Sequence, residues 1–269
     1  MSRLSPAPPS ATRHPLVLMH GFGALAGVLS GGVLQREARH LRALGVAAFA
    51  PTVAPYGTLD ERADGWGAHL ARILRETGAE RLNLLAFSSG GLDARLVARR
   101  PAWAGRIASL VTLSTPHRGN PLAAWALDRP DRLARVVLAG MQSAGRLAWK
   151  EPPRIADALA GLTPETVAAR FPSDEAVDGA WCGSYTSAAG GGTPATLHPG
   201  LVVPHRLLAR LSGASDGIVP TASMAWGDVL GHVEADHARQ VGIALWPSRL
   251  YRSTDFVAAH AERLRTRGL

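Results

Sequence analysis

The sequence predicts an α/β domain with a mostly parallel central sheet covered by helices on both faces. Three observations point there. Apolar runs of strand length alternate with amphipathic stretches of helical length over the first half of the chain. The run Leu82-Asn83-Leu84-Leu85 leads through Ala86-Phe87-Ser88-Ser89-Gly90 directly into the helical pattern Gly91–Val97, a strand, a sharp turn and a helix. The apolar run Pro15–Met19 ends in His20-Gly21-Phe22-Gly23, a second strand that stops at a glycine turn.

The elements follow in order. Residues up to His14 are rich in Pro and Ser and read as a flexible tail, so the folded domain is expected over 15–269. After the strand 15–19 come a helix over Gln35–Leu44, a strand over Val46–Ala50 ended by Pro51, and an amphipathic helix over Leu59–Glu76. The strand 82–85 and its helix are followed by a strand over Ile107–Leu113 and a loop, Ser114-Thr115-Pro116-His117-Arg118-Gly119. From Asn120 to about Gly179 the rhythm changes to mostly helix. That insertion holds the apolar stretch Leu133–Met141 between Trp125 and Trp149, as expected of a cap or lid. A strand over Trp181–Ser187, a loop over Gly190–Pro194, an apolar run Leu207–Leu211 and a closing helix Phe256–Arg267 complete the chain.

The small residues Ala86 and Gly90 flank a central serine at a strand-to-helix turn. Such a turn holds the serine in a strained conformation with its hydroxyl clear of the sheet, which makes Ser88 the candidate nucleophile. The backbone N–H groups of Phe22 and Ser89 are the candidate donors for a developing oxyanion. Asp216, in Ser215-Asp216-Gly217-Ile218-Val219-Pro220, is the candidate orienting acid. His237, in Glu234-Ala235-Asp236-His237-Ala238, is the candidate base. The order serine, acid, histidine suits such a relay. Of ten histidines, His232 and His260 also follow the acid and compete with His237, whereas His20 is expected to shape its loop.

Composition excludes several alternatives. An apolar fraction of 46% suits a folded chain. The net charge is +8, carried almost entirely by arginine, with Lys150 the only lysine. No basic block interleaves with aromatics as a nucleic-acid platform requires. Attraction to anionic lipid surfaces, weakened by salt, is compatible with this charge. Cys182 is alone, so no intrachain disulfide forms, and no Cys/His cluster has metal-ligand spacing. The N-terminal stretch lacks the apolar segment of a secretion signal, so a cytoplasmic protein is the expected reading, with a secreted one as runner-up.

On these residues the chain resembles the bacterial true lipases of the Pseudomonas and Burkholderia type, within the α/β-hydrolase superfamily. The resemblance covers most of residues 15–245. It implies an α/β-hydrolase fold, Ser88 as nucleophile, Asp216 as acid, His237 as base, a lid in the segment after His117, and hydrolysis of carboxylic esters with short to medium acyl chains through an acyl-enzyme. It implies a small-molecule or lipid ester as substrate, and it leaves thioesterase, polyester depolymerase or acyltransferase chemistry, or a silent binding module on the same fold, as alternatives. The chain departs from the family in three places. Ala86 and Phe87 replace Gly and His at the elbow. Those lipases hold calcium partly through an Asp two residues beyond the histidine and another before a proline upstream of the acid; here these positions are Arg239 and His198, so no metal or other cofactor is expected. The secretion signal and the disulfide pair are also missing.

Overall fold

The computed structural model describes residues 11–23, 32–128, 154–172 and 177–269. Six parallel strands form one sheet in the order β2-β1-β3-β4-β5-β6. They are β1 (Leu16–Met19), β2 (Ala48–Phe49), β3 (Leu82–Phe87), β4 (Ile107–Leu113), β5 (Trp181–Ala188) and β6 (Asp228–Glu234).

Strand alternation sorts the core into two layers, because successive side chains point to opposite faces. Leu16, Leu18, Leu85, Phe87, Val111 and Leu113 face one way. They pack against α1 (Gln35–Ala43) and the C-terminal helix α9 (Ser253–Thr266) through Ala38, Leu41, Val257 and Leu264. Val17, Met19, Leu84, Ala86 and Leu110 face the other way, against α2 (Leu59–Thr77) and α3 (Gly90–Ala98) through Trp66, Leu70, Ile73, Ala94 and Val97. Strands covered on both faces read as continuous apolar runs, which is why β1, β3 and β4 stand out in the sequence.

Helix α2 starts at a reciprocal cap. Thr58 Oγ1 accepts from the Glu61 amide at 3.3 Å, and Glu61 Oε2 accepts from the Thr58 amide at 2.8 Å. It ends at Gly78, whose φ of 66° suits a left-handed cap.

Within the expected insertion the described helices are α4 (Pro121–Asp128), α5 (Ile155–Ala160) and α6 (Pro164–Arg170). Ala123, Ile155, Leu159, Leu162 and Val167 join Tyr56, Leu59, Leu92 and Phe171 in a third apolar cluster, with Phe22 packed on it. The stretch Leu133–Met141 and Trp149, expected as a lid, lie outside the described residues.

The structure adds to the sequence reading at two elements and corrects it at the N-terminal stretch. The apolar run 207–211 is the end of a helix, α7 (Val202–Leu211), which buries only Leu208 deeply. Strand β6 was not expected; it lies at the sheet edge, is largely exposed, and so carries no apolar run. Packing also begins before residue 15: Thr12 is buried, and the Arg13 amide donates to the Leu269 carbonyl at 2.8 Å.

Candidate active site

Ser88 sits between β3 and α3 with φ 55°, in the left-handed region that a non-glycine residue rarely occupies. Its amide donates to the Leu113 carbonyl at 2.9 Å, and its carbonyl accepts from the Thr115 hydroxyl at 2.6 Å. Two glycines make the turn sterically feasible. A Cβ on Gly90 would lie 2.8 Å from the His20 carbonyl oxygen, and one on Gly21 would lie 2.7 Å from Ser88 Cβ. The end of β1 is thus pressed against the serine turn. Phe87, beside the serine, turns into the α1/α9 layer, its ring 6.5 Å from that of Phe256. It fills core, which accounts for an apolar residue there.

The three candidate relay residues meet. Ser88 Oγ lies 3.0 Å from His237 Nε2, and His237 Nδ1 lies 2.8 Å from Asp216 Oδ2. The network assigns the neutral ring a proton on Nδ1, donated to the carboxylate, leaving Nε2 to accept from the serine hydroxyl. His237 opens α8 (His237–Gln240), a short helix capped by Asp236, whose carboxylate accepts from the Arg239 amide at 2.9 Å. The His237 amide donates to the Asp216 carbonyl at 2.9 Å, which fixes the two loops to one another.

Asp216 is fully buried, yet every side of its carboxylate is engaged. Oδ1 accepts from the amides of Val219 at 2.8 Å and Ile218 at 3.0 Å. Oδ2 accepts from His237, from Gln240 Nε2 at 3.0 Å and from the Ser187 hydroxyl at 3.2 Å. Burial pushes its pKa up, but the charge and hydrogen bond of His237 and the two amides outweigh this and hold it below its ordinary value. For His237, burial works downward. The charge and hydrogen bond of Asp216, with the charge of Asp236, outweigh it and raise the imidazole above its ordinary pKa.

The competing histidines are engaged elsewhere. His232 Nδ1 is 2.9 Å from the Thr186 hydroxyl on the outer edge of the sheet. His260, in α9, is buried 3.5 Å from the Tyr185 hydroxyl, and burial lowers its pKa to about 3. His20 is neutral as well, pushed to about 3 by burial and the charge of Arg62. Its Nδ1 donates to the Gly21 carbonyl at 2.8 Å and its Nε2 accepts from the Val53 amide at 3.2 Å, so it shapes its loop. His117 is buried between Thr112 (3.0 Å) and Arg95 (3.3 Å) and stacks on Trp226.

The two oxyanion candidates are adjacent, but not both free. The Phe22 amide donates to the Ser89 hydroxyl at 2.8 Å. The Ser89 amide has no acceptor among the described residues.

Several residues of the site escaped sequence reasoning. Gln240 and Ser187 are buried behind Asp216. Gln240 Nε2 also donates to Ser187 Oγ at 2.9 Å, and Ser187 Oγ lies 2.5 Å from that of Ser114. Below the β1 end, Arg62 of α2 is buried with Asp93 of α3. Arg62 Nη2 donates to Asp93 Oδ2 and to the His20 carbonyl, each at 2.8 Å, and so braces the turn that carries Phe22. The spacing of Gln240, three residues beyond His237 on a helix, was the one signal available in the sequence.

The two positions at which the resemblance would place calcium ligands do not fit a hard cation here. Arg239 is buried and donates through Nη1 to the Trp246 carbonyl at 3.0 Å, placing a positive charge there. His198 instead caps a turn, its Nδ1 accepting from the Gly200 amide at 3.2 Å. Among the described residues no group of three or more His, Cys, Asp or Glu side chains could hold a metal ion.

The strand order and the serine turn define the class: the chain has the α/β-hydrolase fold. A metagenomic carboxyl esterase has the same architecture, with a TM-score of 0.71 at 19% identity over 98% of this chain and 77% of its own. In sequence the chain is similar to bacterial triacylglycerol lipases. It is 31% identical over 172 residues to that of Pseudarthrobacter phenanthrenivorans, covering 59% of this chain and 52% of the relative. It is equally similar to that of Burkholderia plantarii, covering 59% and 46%. The chain therefore spans about half the length of the curated relatives it matches. No protein-family model matches it.

Proposed function

We propose that the protein is a serine hydrolase of carboxylic esters. The observation that carries this reading is the continuous relay from Ser88 Oγ through His237 to Asp216, at 3.0 and 2.8 Å. The similarity to triacylglycerol lipases supports it.

In this reading Ser88 Oγ attacks the ester carbonyl while His237 Nε2 takes its proton. Buried, ionised Asp216 stabilises the imidazolium. The Ser89 amide donates to the tetrahedral oxyanion. The Phe22 amide joins it once the Ser89 hydroxyl swings away, a side-chain rotation fast compared with turnover. The imidazolium protonates the leaving alcohol, and an acyl-Ser88 ester remains. Water then attacks with His237 again as base, releasing the acid. Phe22 packs on the buried apolar cluster of Tyr56, Leu92, Ile155 and Leu159, which supports the turn that carries its amide. The short to medium acyl chain is the part of the reading carried by the resemblance to lipases.

A fluorophosphonate probe should label the protein on Ser88, and Ser88→Ala should lose labelling together with roughly 10³-fold or more of the hydrolysis of p-nitrophenyl butyrate. An unlabelled wild-type protein would reject the reading. A series of p-nitrophenyl esters beside acyl-CoA substrates measures the acyl preference; fast acyl-CoA cleavage with flat, slow oxygen-ester rates would favour a thioesterase.

A further inference from the structure

The loop following α8 is built differently from the rest of the described surface. Ile243, Leu245, Trp246 and Leu250 stand exposed within eight residues, Leu245 at 60% and Trp246 at 43%. The other large exposed apolar side chains among the described residues are Val203 and Leu211, at the two ends of α7, and Val229 on β6. Single exposed apolar residues are ordinary on protein surfaces, whereas four within eight residues is a local concentration of the kind that accompanies interaction sites.

This loop is anchored to the helix that carries His237. The Ile243 amide donates to the Ala238 carbonyl at 3.0 Å, Arg239 Nη1 to the Trp246 carbonyl at 3.0 Å, and the Tyr251 hydroxyl to the Gln240 carbonyl at 3.2 Å. The backbone that carries these exposed side chains is therefore tied to the helix that carries His237.

Charge identifies what they face. From His237 to Thr254 the chain has three arginines and no Asp or Glu. Arg249 is exposed, and Arg252 is 71% exposed and paired with Asp255 at 3.7 Å. Arg36, 56% exposed, lies beside Gly242 at the same end of the molecule, paired with Glu37. A second copy docking here would bring like charges together on a chain of net charge +8. An anionic lipid surface brings opposite charge to the arginines and hydrocarbon to the leucines. It also gives Trp246 the headgroup-level setting that indole rings favour.

We propose that residues 243–250 dock the protein on an anionic lipid surface. The consequence that the relay meets its ester at that surface rests on the hydrolase reading above; the docking itself does not. The test is co-sedimentation of the full chain with phosphatidylcholine vesicles with and without phosphatidylglycerol. It compares wild type with Leu245→Ser/Leu250→Ser and follows p-nitrophenyl butyrate hydrolysis in parallel. The expected result is binding that requires phosphatidylglycerol, weakens with salt, and falls about tenfold or more in the double variant. Soluble-ester turnover should stay within about twofold, because neither side chain touches the relay. Absence of vesicle binding, equal binding by the double variant, or indifference to phosphatidylglycerol overturns the proposal. So does self-association in vesicle-free solution that the double variant abolishes. Docking as expected from a protein that does not cleave the soluble ester sustains the docking and rejects the hydrolase reading.

Discussion

Asp216 shows how a charge is kept in the interior. An isolated buried carboxylate would take up a proton, but this one accepts two amides, a hydroxyl, a carboxamide and an imidazole N–H, and stays ionised. The pH dependence follows with a definite sign. His237 acts as base only when neutral, and its pKa is raised, so kcat/KM should fall on acidification through a limb lying above the ordinary imidazole value. Gln240 modulates that limb. With its donor removed in Gln240→Ala, the Asp216 charge is shared among fewer partners and holds the imidazolium more tightly. The limb should then move to higher pH, and kcat should fall about tenfold, the scale of a lost hydrogen bond to a charged group. A loss of activity with an unmoved limb would assign Gln240 a packing role only.

Between elements, the Arg62–Asp93 pair joins α2 to α3 and holds the His20 carbonyl. Both side chains are buried, so removing either leaves a charge without its partner. Arg62→Met should destabilise the fold by about 3–5 kcal/mol, measured by urea denaturation. A loss below about 1 kcal/mol would show that α2 and α3 are held by apolar packing alone. The exposed ion pairs on the same helices, such as Arg72–Glu76 with both partners about half exposed, contribute little by comparison.

For the whole molecule, the residues around α8 bear on cation dependence. Arg239 already bonds the Trp246 carbonyl, so the loop that positions His237 is tied down by a guanidinium. Hydrolysis and thermal stability should both be unchanged by EDTA and by added calcium. Activity lost to EDTA and restored by calcium would show a cation site that the described residues do not reveal. The apolar surface of the molecule is arranged in two ways. Two layers are hidden by helices on either face of the sheet, whereas the exposed group on 243–250 lies on backbone tied to α8 by hydrogen bonds.

Local chemistry made much of this protein legible from its sequence. Doubly covered strands are mostly apolar, so β1, β3 and β4 are evident, and a serine turn needs small neighbours, so Ser88 stands out between Ala86 and Gly90. Edge strand β6 and the start of α7 are not legible, because half-exposed elements need no distinctive pattern. Sequence order and the resemblance put His237 ahead of His232 and His260, and the tertiary structure shows that its imidazole is the one that reaches Ser88, across 149 residues of chain. Gln240, Ser187 and the Arg62–Asp93 pair likewise acquire their meaning from partners far away in sequence. A hydrogen bond between distant segments leaves no periodicity or spacing along the chain, and it exists only once the sheet has brought those segments together.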